Sequence, residues 1–136
     1  MAGRKRTSSI FKDAKPFSSF SVNDLEKAKQ FYGETLGLDV AKTPEGLELR
    51  LAGGNSVFLY PKPNHTPASF TVLNFAVKDV EAAVDELGDL GIRPEHYDLP
   101  EIKTDKRGIM RSPGSGPSIA WFKDPFGNIL SVLEEG

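Results

Sequence analysis

The chain has 136 residues, 38% of them hydrophobic and 10% aromatic, enough to build one compact domain around a real core. Its formal net charge of -2 supplies no general basic field for nucleic-acid phosphates, so nucleic acid is not an expected partner. It contains no cysteine, which excludes disulfides, thiolate nucleophiles and cysteine-ligated metals.

Residues 1–15 read as a flexible polar tail. Its three basic residues, Arg4, Lys5 and Arg6, are expected to be a solvated end rather than a nucleic-acid patch. No run approaches the roughly 18 consecutive apolar residues of a membrane helix, and the basic start lacks the apolar segment of a signal peptide. A cytoplasmic protein with no membrane partner is expected, and residues 16–136 read as a single domain.

The domain opens with a short alternating strand, "FSV", from Phe20 to Val22. Asp24 suits a helix N-cap, and Leu25, Ala28, Phe31, Tyr32 and Leu36 then share one face of an amphipathic helix that ends at Gly37. Three strands follow in "GLDVAKT", "EGLELRLA" and "SVFLYPK", with turn residues at Pro44-Glu45-Gly46 and Gly53-Gly54-Asn55. Glu48 and Arg50 alternate with Leu47, Leu49 and Leu51, the pattern of a half-buried strand with a solvated side. The stretch "PKPNHTPAS" then links to the second half, and His65 within it reads as a surface residue.

The second half repeats the first. "FSVNDLEKA" from Phe20 to Ala28 aligns with "FAVKDVEAA" from Phe75 to Ala83 at a constant offset of 55 residues. The Asp79 helix places Val80, Ala83, Val84, Leu87 and Leu90 on one face and ends at Gly91. A strand is expected around "IRPEHYDL", which carries His96, followed by a long loop with a short strand at Gly108 to Arg111. "SPGSGPS" lacks the Lys-Ser or Lys-Thr and the following helix of a phosphate loop, and reads as a flexible lid or hinge. "GPSIAWF" and "GNILSVLE" close the chain as a hairpin, in which Ile129, Ser131 and Leu133 share one face. The fold class expected is α+β, with two βαβββ modules in tandem, about 16–62 and about 70–135, packed to leave a cleft between them.

On "FSVNDLEKAKQFYGETLGLDV", its partial copy "FAVKDVEAAVDELGDLGI" and the hairpin "WFKDPFGNILSVLE", residues 16 to 135 resemble the vicinal oxygen chelate superfamily. That family groups glyoxalases, extradiol dioxygenases, methylmalonyl-CoA epimerases and the fosfomycin and bleomycin resistance proteins. The resemblance implies a divalent metal in metal-dependent members, held by His, Gln or Glu on the first and last strands of each module. Carried over position by position, those sites fall on Phe17, on Val72, somewhere in Val57 to Tyr60, and on Ser131. None holds His, Asp, Glu or Gln, so neither a metal site nor another cofactor is expected. The resemblance also implies a homodimer.

The remaining chemistry is sparse. His96 is the better placed of the two histidines for a general base if its strand faces the cleft. Ser131 has no Gly-x-Ser-x-Gly elbow around it, and a nucleophilic role is not expected. The ligand-binding residues expected are therefore Phe17, Phe58, Tyr60, Val72, His96, Met110, Trp121 and Ser131, with Arg111 as an anchor for an anionic or carbonyl group. The leading expectation is a metal-free binder of a small, partly apolar or aromatic molecule, with no catalytic residue assigned. The alternatives are a metal-dependent lyase, isomerase or dioxygenase of the glyoxalase type with displaced ligands, and a homodimer whose cleft has become core.

Overall fold

The computed structural model of the chain describes residues 9–112 and 116–135; Arg4, Lys5, Arg6 and residues 113–115 of the glycine-rich loop lie outside them. Near the start, Ser9–Asp13 forms a short helix, α1, with Ile10 and Phe11 exposed. The first module is β1 (Ser18–Val22), α2 (Leu25–Lys29), β2 (Asp39–Thr43), β3 (Gly46–Arg50) and β4 (Ser56–Pro61). The second is β5 (Thr71–Val77), α3 (Val80–Asp89), β6 (Ile109–Met110), β7 (Ser118–Lys123) and β8 (Ile129–Glu134). Each module folds into a four-stranded mixed sheet, in the orders β1-β4-β3-β2 and β5-β8-β7-β6. The α+β class and the tandem modules are thus as the repeat implies.

Local chemistry starts and stops the helices alike in both copies. Asp24 Oδ1 accepts from the Lys27 amide at 3.1 Å, and Asp79 Oδ1 accepts from Glu81 and Ala82 at 2.9 and 3.2 Å. Gly37 and Gly91 follow the two helices at φ of 76° and 78°, where a side chain would be strained. Between these ends α2 runs on as a π-helical stretch, Gln30–Thr35, in which the Leu36 amide reaches back to the Phe31 carbonyl at 2.8 Å. Within that stretch the adjacent Phe31 and Tyr32 are both buried, packed edge to face at 4.9 Å.

One expected element does not form. The "IRPEHYDL" segment is irregular apart from an isolated bridge between Asp98 and Lys103, and β6 takes the sheet edge instead. Pro94 has no amide to donate. The segment meets β7 through a bond from the Glu95 amide to the Trp121 carbonyl at 2.7 Å, just beyond the end of β6.

Alternate positions of each sheet point to the helices. Phe20, Val22, Leu47, Leu49 and Leu59 of the first sheet and Ile109, Phe122, Leu130 and Val132 of the second belong to one buried cluster with Tyr32, Val80 and Leu87. The modules are latched by the β7–β8 turn of the second. Asp124 is buried there, its Oδ1 accepting from the Phe126 and Asn128 amides at 2.9 and 2.8 Å. Its Oδ2 accepts from the Asn128 amide group at 2.9 Å and from the Tyr32 hydroxyl of the first module at 2.7 Å. Asn128 also donates to the Ser21 carbonyl at 3.0 Å. Burial, and then the neighbouring Asp124 carboxylate, push the Tyr32 pKa well above the usual phenol range.

The corresponding turn of the first module, Gly53-Gly54-Asn55, has no carboxylate. A cavity of about 450 Å³ remains there, lined by Leu51, Ala52 and Asn55 on one side and by Leu73, Asn74 and Phe75 on the other.

Candidate functional site

The face of each sheet turned away from its helix carries the chemistry. In the second module Trp121 of β7 stands opposite Ser131 of β8, which in turn lies beside Asn74 of β5. Ser131 is fully buried, and its hydroxyl donates to the Asn74 side-chain oxygen at 2.5 Å. The register of β5 against β8 shifts between Thr71 and Leu73, so Val72 is the extra residue of a bulge. Beside it, Thr71 accepts a hydrogen bond from the Trp121 indole at 3.1 Å.

The irregular segment that replaces the expected strand completes this wall. Tyr97 packs edge to face on Trp121, with ring centroids 5.5 Å apart. Burial first, and then Glu95, raise its pKa against the opposing pull of Lys123. Tyr97 and Trp121, with Phe70, Leu99, Ile102 and Ile129, line a cavity of about 390 Å³. A neighbouring cavity of about 380 Å³ is lined by Ser19, Ser21, Tyr60, Thr66 and Val72, and shares Phe70 and Thr71 with the first. The two adjoin at Phe70 and Thr71 and together make up the cleft, apolar and aromatic at one end and rich in hydroxyls at the other.

The residues expected from the sequence are divided among several places. Trp121, Tyr60 and Val72 line the cleft. Phe58 stands opposite Ser19 and Glu48, as Ser131 stands opposite Asn74 and Trp121. That register makes Phe58 the first-module counterpart of Ser131; its ring stacks on Tyr60 at 6.5 Å. Phe17 precedes β1 and is 67% exposed. Met110 and Arg111 line a separate cavity of about 350 Å³ with Glu101 and Lys103. The Arg111 guanidinium is paired with Asp105 at 3.1 Å and Glu81 at 3.5 Å. His96 is exposed, while its neighbour Tyr97 faces the cleft.

Sequence reasoning missed Tyr97, Phe70, Leu99 and Ile102, and it read His65 as a surface residue. His65 is half-buried, with Nδ1 2.6 Å from the Ser21 hydroxyl and Nε2 2.9 Å from the Phe126 carbonyl oxygen. Pro94 and Pro100 on either side of Tyr97 were the available signal that this segment would cross a sheet rather than pair within it.

Among the described residues no three His, Cys, Asp or Glu side chains are grouped to hold a metal ion. At the positions to which the resemblance carries the metal ligands stand an exposed Phe17, a bulged Val72, a stacked Phe58 and a Ser131 hydrogen-bonded to Asn74. A hydroxyl hydrogen-bonded to an amide oxygen, with phenyl and valyl side chains at the companion positions, does not fit a divalent cation.

The fold is shared with a glyoxalase family protein from Enterococcus faecalis, at 20% identity and TM-score 0.67 over 91% of this chain and 99% of that one. It is shared with the fosfomycin resistance protein FosX from Listeria monocytogenes, at 10% identity and TM-score 0.69 over 91% and 94%. TnmS3, an antibiotic binding protein from Streptomyces sp. CB03234, is 27% identical, with TM-score 0.62 over 91% and 98%. No curated protein matches in sequence. The model of the Glyoxalase/Bleomycin resistance protein/Dioxygenase superfamily matches residues 18–132, and with the paired βαβββ modules this places the chain in that superfamily.

Proposed function

We propose that the protein binds a small, partly apolar or aromatic molecule in the cleft between its modules and sequesters it without metal chemistry. The observation that carries this reading is the Trp121–Tyr97 corner on the second module's side of the cleft, an edge-to-face pair opening on a cavity of about 390 Å³ walled by Phe70, Leu99, Ile102 and Ile129. Aromatic walls contribute burial and stacking, and the hydroxyls of Thr71, Ser19 and Ser21 at the other end supply orientation. The likeness to an antibiotic binding protein supports the same reading. A homodimer and a cytoplasmic location belong to it as well. Among the described residues no helix is long and apolar enough to cross a membrane.

Trp121 is the chain's single tryptophan, so its fluorescence reports on this cleft alone. Titration with a panel of planar aromatic compounds is expected to give saturable quenching and a raised melting temperature for at least one member. A panel that neither quenches nor stabilises overturns the reading.

A further inference from the structure

Ser21 lines the hydroxyl-rich end of the cleft, and its hydroxyl meets the His65 ring. The His65 Nε2 atom lies 2.9 Å from the Phe126 carbonyl oxygen, which can only accept, so Nε2 carries the proton. In the neutral ring Nδ1 is then a lone pair, and it lies 2.6 Å from the Ser21 hydroxyl oxygen. The serine is therefore the donor to a base whose tautomer is fixed by a third group. Nucleophile, base and orienting acceptor in that order are the arrangement that activates a serine. Ser21 also lines the cavity of about 380 Å³, where Ser19 and Thr66 place two further hydroxyls.

We propose that Ser21 and His65 form a nucleophile and base pair that takes the acyl group of a small carboxylic ester entering this end of the cleft. The Ser21 oxygen bonds to the ester carbonyl carbon as its proton passes to His65 Nδ1. The tetrahedral intermediate collapses with cleavage of the bond to the leaving oxygen, which takes the proton from Nδ1 and departs as the alcohol. Water then attacks the acyl-serine with its proton going to Nδ1. The acid is released and the Ser21 hydroxyl is restored, so the sum is ester plus water to acid plus alcohol. Ser19 and Thr66, on the same cavity, are assigned the donor role toward the developing oxyanion. This goes beyond reversible binding and does not depend on which molecule the aromatic end takes.

The test uses p-nitrophenyl acetate on the full chain, with peptide mapping by mass spectrometry. Wild type is expected to release p-nitrophenol and carry an acetyl group on the peptide containing Ser21. His65→Gln keeps a donor for the Phe126 carbonyl but removes the base, and is expected to slow Ser21 acetylation by about 100-fold. Ser21→Ala is expected to abolish the acetyl group on that peptide, with thermal melts reporting whether each variant is folded. Acetyl groups confined to lysines in the folded wild type overturn the proposal, as does Ser21 acetylation at an unchanged rate in folded His65→Gln. Trp121 quenching read in parallel on wild type separates the two readings: quenching without Ser21 acetylation removes this one alone.

Discussion

Tyr32 and Asp124 lie 92 positions apart and meet in the interior, where the phenol donates to the carboxylate at 2.7 Å and joins the first module to the turn of the second. Removing the hydroxyl in Tyr32→Phe deletes one of the donors on a buried charge, with an expected cost of about 1.5–3 kcal/mol by urea titration at neutral pH.

The same bond sets an alkaline limit. In the unfolded chain Tyr32 ionises near pH 10, at about the reference value, whereas the folded state holds it protonated far above that. Its contribution is therefore fully present below about pH 10 and is lost as pH rises further, by about 1.4 kcal/mol per unit. The urea midpoint of wild type is expected to fall steeply above that pH. In Tyr32→Phe the fall should be shallower, and an equally steep one would remove Tyr32 as its cause.

Gly46 opens β3 where an added Cβ would stand 2.1 Å from the Leu59 carbonyl oxygen. Backbone cannot swing aside as a side chain can, so Gly46→Ala must displace the β3–β4 hairpin. The expected cost is about 1–3 kcal/mol or more, read as a lowered melting temperature. Gly88→Ala, with nothing within 4 Å of the added methyl, should be neutral or slightly stabilising and serves as the control.

Trp121→Ala removes the ring on which Tyr97 packs and one wall of the cleft. Affinity for any aromatic ligand found in the quenching panel should fall at least about tenfold by calorimetry, in line with the worth of one aromatic contact plus its burial. Trp121→Phe keeps a ring but loses the bond to Thr71, and should fall between the two.

Ser131→Glu places a carboxylate at the fully buried position to which the resemblance carries a late metal ligand. With Phe17, Val72 and Phe58 at the companion positions, no ligand set results. The variant is expected to lose stability without gaining metal, because an unpaired buried charge is costly. Elemental analysis of purified protein should find no stoichiometric zinc, iron, nickel or manganese in wild type or variant. Stoichiometric metal in wild type would overturn the metal-free reading.

The parts of the fold written in local chemistry were legible. Asp24 and Asp79 cap helices, Gly37 and Gly91 close them, and the offset of 55 residues shows that the two stretches are one design used twice. Ser131 could be assigned to one face with Ile129 and Leu133 because a strand alternates with a period of two, and the hairpin places Trp121 opposite it. Tyr97 could not, since its place depends on competition for the edge of β7, a contest decided by Pro94 and by β6 far along the chain. Ser21 and His65 are 44 positions apart, and no periodicity links a strand residue to one in a proline-rich connection.

The two joints between the modules are unequal. One is locked by a carboxylate with its full set of donors, and its counterpart at Gly53-Gly54-Asn55 faces a gap of about 450 Å³. Shifting one module against the other would break the hydrogen bonds at Asp124, whereas the counterpart joint has open space in that place. The duplicated halves share a blueprint but differ at this joint: one turn fastens the pair through Asp124, and the other faces open space.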